Sequence, residues 1–169
     1  MRILVFSDSH GNPNTMLQAV KTHLEHGGVD MLIHLGDGYR DFMALTTRYP
    51  DIPAHMVKGN WDESFMPEPL LPKEKIVEAE GFTFLLMHGH TRGVKRDLQQ
   101  AADTAARCGA DVLLYGHTHL AVDQKMDTGF GKTVRTINPG TVGSGYKPTY
   151  ALLEIVSGQL LCGFGRPNG

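Results

Sequence analysis

At 169 residues, with 41% hydrophobic and 20% charged residues and a formal net charge of −2, the chain has the composition of an ordinary globular protein. That balance argues against a broad basic surface for gripping nucleic acid, and no run approaches the roughly 18 apolar residues a membrane span requires. The expectation is one domain over residues 1–164 followed by a loose tail at 165–169, acting in the cytoplasm without membrane contact.

The first run, Arg2–Phe6, is continuously apolar after its first residue, as in a strand buried on both faces. It is too short for the core of a signal peptide. Asn12 and Pro13 read as an N-cap followed by proline at the first helical position, with Leu17, Val20 and Leu24 at helical spacing and Gly27-Gly28 as the stop. A second strand is expected at Met31–Leu35, a helix around Arg40–Tyr49 and a third strand at His55–Lys58. The proline-rich stretch Glu63–Pro72 predicts an irregular excursion. Ile76–Glu80 and Phe82–Met87 flank Gly81 as a hairpin. Leu98, Ala101, Ala102 and Ala105 mark a helix closed by Gly109, and Val112–Tyr115 is another buried strand. Beyond it the pattern turns antiparallel and meander-like: Ala121–Met126, Thr133–Ile137, Tyr150–Val156 and Leu160–Gly163. Two packed sheets with helices outside accommodate both halves. Cys108 and Cys162 have no CxxC partner and read as two buried thiols in a reducing compartment.

Short polar clusters follow the apolar runs: Asp8-Ser9-His10, Gly36-Asp37, Gly59-Asn60, His88-Gly89-His90 and Gly116-His117-Thr118-His119. Open α/β sheets place their sites at such strand ends. Singly, most of them are also good turn chemistry, Asp8-Ser9-His10 before Gly11 and Asp37 between two glycines included. The pair His117 and His119 after Gly116 is the most specific, because two buried imidazoles without a ligand are costly. Jointly the clusters offer carboxylates, imidazoles and one amide, a mixed oxygen and nitrogen set suited to two adjacent divalent cations.

In this order the clusters resemble the signature of the calcineurin-like metallophosphoesterases, and more narrowly their small bacterial and archaeal phosphodiesterase branch, which includes a retromer-subunit relative. The resemblance runs from residue 3 to about Val156, and Asn138-Pro139-Gly140-Thr141 is similar to a loop of that branch near the site. It implies an α/β fold of two packed mixed β-sheets flanked by helices, a four-layer α-β-β-α sandwich. It also implies one cation held by Asp8, His10, Asp37 and His119 and another by Asp37, Asn60, His88 and His117, Asp37 being shared. The implied activity is phosphodiester hydrolysis by in-line attack of a hydroxide shared between the cations. Mn is the implied metal, with Fe, Co, Ni and Zn also admitted by the donors. The implied partner is a small phosphate-ester substrate, with homo-oligomers common in the branch.

The chain departs from many relatives in carrying Trp61 after Asn60, where a histidine often protonates the leaving group. His90 is then the candidate acid, and Asp62 a candidate to orient Asn60 or a neighbouring ligand. The competing readings are a phosphomonoesterase for a small metabolite and a non-catalytic scaffold on the same fold.

Overall fold

Each buried strand sends alternate side chains to opposite faces, and here both faces are apolar, so one strand can serve two cores. A computed structural model of the chain describes residues 1–64, 70–143 and 147–167. Its elements run β1 (Arg2–Phe6), α1 (Asn14–Glu25), β2 (Met31–His34), α2 (Tyr39–Arg48), β3 (Ala54–Met56), α3 (Asn60–Glu63), β4 (Glu74–Ala79), β5 (Phe82–Met87), α4 (Gln99–Arg107), β6 (Val112–Tyr115), β7 (Ala121–Asp127), β8 (Thr133–Pro139), β9 (Tyr150–Val156) and β10 (Gln159–Gly165).

Two five-stranded mixed sheets result, ordered β10-β9-β1-β2-β3 and β4-β5-β6-β8-β7. In the first, β1, β2 and β3 are parallel, and in the second β5, β6 and β8 are parallel. Ile3, Val5 and Ile33 from one sheet meet Phe84, Leu86, Val112 and Leu114 from the other in a shared core. The opposite faces carry Leu4, Phe6 and Leu32 to α1 and α2, and Leu85, Leu113 and Tyr115 to α4. The layers are thus helices, sheet, sheet, helix, as the resemblance implied.

Several local expectations shift. Asn12 does not cap α1, which begins at Asn14 after Pro13 with no side-chain cap. Glu63, the first residue of the expected excursion, ends the short helix Asn60–Glu63. The final strands are not one meander: β7 and β8 form a hairpin in the second sheet, whereas β9 and β10 return to the first, with β9 antiparallel to β1. Cys108 is exposed and Cys162 half-buried, so the expectation of two buried thiols fails. Residues 65–69 of the expected excursion and 168–169 of the expected tail lie outside the described residues.

Candidate metal centre

All three parallel strands of the first sheet, and β5 and β6 of the second, end at one edge of the sandwich. Asp8 and His10 follow β1, Asp37 follows β2, Asn60 follows β3, His88 follows β5, and His117 and His119 follow β6. The backbone there is unusual. Of the seven described non-glycine residues in the left-handed region, five are Asp8, His10, Asp37, His117 and His119. Such conformations cost free energy and persist where the surrounding structure enforces them, typically at functional sites.

Two trios of ligand-type side chains converge, Asp8-His10-His119 and Asp37-His88-His117, their ligand atoms all within 4.8 Å of one another in each trio. Asp8 Oδ2 is satisfied, accepting from Ser7 Oγ at 2.5 Å and from the His117 amide at 3.1 Å. Asp8 Oδ1 is buried with no hydrogen-bond partner among the described residues. Three imidazole nitrogens approach it: His119 Nε2 at 3.1 Å but outside hydrogen-bond geometry, His10 Nε2 at 3.7 Å and His88 Nε2 at 3.9 Å. The last of these distances joins the two trios.

His88 carries the second half of the argument. Its Nδ1 lies 2.8 Å from the carbonyl of Leu35, which can only accept, so Nδ1 holds a proton. In the neutral ring Nε2 is then an acceptor, yet it faces Asp37 Oδ2 at 3.3 Å and Asn60 Oδ1 at 3.2 Å. Lone pairs facing lone pairs require a positive charge between them. Without a metal a second proton answers: burial opposes it, but the hydrogen bond to Asp37 and the charges of Asp8 and Asp37 outweigh burial and raise the His88 pKa. A divalent cation would satisfy the same oxygens and nitrogens together, so the donor set fits the metals the fold implies. Burial raises the Asp37 pKa, but the His88 bond and charge and the Trp61 amide outweigh it and leave the carboxylate ionised down to about 2. His117 is held neutral down to about 4 by burial and by the neighbouring His88 and Lys95. Both are therefore in the ligating form at neutral pH.

Asp62 does not reach Asn60's side chain. Its carboxylate accepts four backbone amides, from Asp37 at 2.7 Å and from Gly38, Tyr39 and Gly59 at 3.0 Å each, so it pins the Asp37 loop to the Asn60 loop. His90 packs beside His88 and His117, at ring separations of 5.4 and 6.2 Å. Its Nε2 lies 3.2 Å from Glu63 Oε1, and its Nδ1 is buried without a partner among the described residues.

Other buttresses escape a sequence reading. Asp41 accepts from Ser9 Oγ at 2.6 Å and from the Gly11 amide at 2.8 Å, which commits Ser9 to loop structure. Asn138 Nδ2 donates to the Gly116 carbonyl and to Thr118 Oγ1, both at 3.0 Å, and Thr141 Oγ1 donates to the Asp8 carbonyl at 2.7 Å. Gly116 itself is dictated by space, because a Cβ there would collide with Ser7 Oγ. The only available signals were a buried-type polar residue in the first turn of α2, and the Asn138–Thr141 loop already tied to the resemblance.

Two cavities adjoin the trios. One, of about 320 Å³, is lined by Tyr39, Arg40 and Trp61 among others, and Trp61 touches His10. The other, of about 390 Å³, is lined by His90, Thr91, Arg92, Arg96 and Gln100 among others.

A calcineurin-like phosphoesterase superfamily domain model matches residues 1–158. A probable metallophosphoesterase of Bacillus subtilis, YsnB, is 35% identical over 143 residues, covering 84% of this chain and 75% of YsnB. Phosphodiesterase MJ0936 of Methanocaldococcus jannaschii is 26% identical over 170 residues, covering 91% and 93%. The crystal structure of a conserved, predicted phosphoesterase of Streptococcus pneumoniae superposes with a TM-score of 0.75 at 25% identity, covering 99% of this chain and 90% of that one.

Proposed function

The chain belongs to the calcineurin-like phosphoesterase superfamily, and from that premise we propose that it is a phosphodiesterase working with two divalent cations. The observation that carries the reading is the buried Asp8 Oδ1, without a hydrogen-bond partner among the described residues and facing three imidazole nitrogens. Asp8, His10 and His119 would hold one cation, and Asn60, His88 and His117 the other, with Asp37 shared. When bound, such cations supply Lewis-acid chemistry, acidifying water and polarising phosphoryl oxygens. Oxygen and imidazole donors without thiolate admit Mn, Fe, Co, Ni and Zn, and Mn is our choice among them.

The chain's own residues set the rest of the reaction. Ser9 is tied to Asp41 and Ser7 to Asp8, so among the described residues neither of these serines is left as a nucleophile, and water is the attacking group in this reading. Water adds across one phosphorus–oxygen bond and gives a phosphomonoester and an alcohol. Trp61 cannot supply the departing oxygen with a proton, and we assign that role to His90, the imidazole that packs beside His88 and His117. Cavities next to both trios favour a diester, whose phosphorus carries two arms, over a monoester. A cytoplasmic location is part of the proposal. No helix among the described residues is long and apolar enough to cross a membrane.

The test is hydrolysis of bis-p-nitrophenyl phosphate and p-nitrophenyl phosphate by metal-stripped protein resupplied with each cation in turn. Metal-dependent turnover favouring the diester is expected, falling at least about 100-fold in Asp37→Ala and His117→Ala. Protein inert with every cation would contradict the reading.

A further inference from the structure

Trp61 is the one tryptophan of the chain, and it is placed against ordinary expectation. A tryptophan kept for stability is buried, but 43% of this one is exposed and it joins none of the three core clusters. Its backbone amide donates to Asp37 Oδ1 at 2.7 Å, which ties its position to the candidate metal centre. Its ring meets His10 edge-on at 5.3 Å, and it walls the 320 Å³ cavity together with Tyr39 and Arg40. Asp41 and Asp62 also line that cavity, but they are engaged by Ser9 and Gly11 and by four backbone amides respectively. Trp61, Tyr39 and Arg40 give the cavity wall two aromatic rings and a guanidinium. The volume sits at the lower end of ligand pockets, enough for a flat ring system rather than an extended chain.

We propose that this cavity is a subsite for the aromatic base of a nucleotide, with Trp61 and Tyr39 as stacking surfaces beside the phosphate-binding edge. The proposal rests on the phosphoesterase reading for the placement of the phosphate and extends it to the substrate class, a nucleoside phosphodiester. Stacking of a base on an aromatic side chain is tolerant of base identity, so a general preference for nucleosides is expected rather than one for a single base.

Binding separates the two readings. Trp61 is the sole tryptophan, so its fluorescence reports occupancy directly; Zn²⁺ as the added cation leaves that signal readable. Adenosine 5′-monophosphate should quench it and bind at least about fivefold tighter than ribose 5-phosphate, which carries the same phosphate without the base. By calorimetry, Trp61→Ala should bring the two ligands to equal affinity, Trp61→Phe should keep most of the difference, and Tyr39→Ala should reduce it. Equal affinity in the native protein, or a preference untouched by Trp61→Ala, overturns the subsite and leaves the phosphate-binding centre standing. Binding of neither ligand overturns the subsite as well. A base preference that depends on Trp61, in a protein that cleaves no ester with any cation, would support the subsite and sink the hydrolase.

Discussion

Two buried side chains set the chemistry around the candidate centre, one by what it accepts and one by what it cannot accept. Asp62 takes four backbone amides, and those bonds hold Asp37 where its carboxylate faces His88. Removing the acceptor leaves buried donors unpaired and loosens the Asp37 loop, so Asp62→Ala should weaken Mn²⁺ binding by about 10–100-fold while far-UV circular dichroism stays native. An unchanged affinity by titration calorimetry would contradict that role. His34 is fully buried, its Nδ1 accepting from the Gly36 amide at 3.2 Å and its Nε2 without a partner among the described residues. Burial outweighs the attraction of Asp62, Asp8 and Asp41, and His88 adds repulsion, lowering its pKa to about 4. The unfolded chain takes up that proton near pH 6.5 and the folded one does not. The contribution of this group is therefore full above pH 6.5 and is lost as pH falls towards about 4, up to about 3 kcal/mol in all. Urea unfolding at pH 7 and pH 4.5 should show a markedly smaller loss in His34→Gln than in the native protein.

Among the elements, α4 covers the second sheet with alanines, Ala101 and Ala105 being fully buried against Leu85, Leu113 and Tyr115. The close fit leaves no room for growth, so Ala101→Leu should cost about 1–3 kcal/mol, while Leu at exposed Gln100 should stay within about 0.5 kcal/mol; thermal unfolding compares them. The buried strands were legible because Arg2–Phe6, Phe82–Met87 and Val112–Tyr115 are apolar on both faces, which few alternatives explain. The sheet that receives β9 and β10 was not legible, since an antiparallel hairpin alternates in the same way wherever it docks. Asn12 misled because a cap-type residue before proline is also good turn chemistry, and here its amide closes a turn on Ser9. Likewise, the polar clusters at strand ends announced Asp8, Asp37, His88 and the His117–His119 pair, as donors of those types at those ends have few other uses. Asp62 and Asp41 act on backbone amides, a role that leaves no spacing pattern, so the first was placed only vaguely and the second not at all.

At the scale of the molecule, the two sheets meet along a shared apolar core, and their carboxyl edges jointly build the polar rim. Asp8, His10, Asp37 and Asn60 come from the first sheet and His88, His117 and His119 from the second. Neither sheet alone brings enough donors for two cations, so the sandwich is what makes a paired centre available. The two-cation centre we propose at that seam has a stoichiometric consequence, because turnover should then require both cations. The measurement that tests this most directly is turnover of bis-p-nitrophenyl phosphate by metal-stripped protein against equivalents of Mn²⁺ added. Activity should rise until two equivalents per chain are bound and then level off. Saturation at a single equivalent, or no turnover at any ratio, would contradict it.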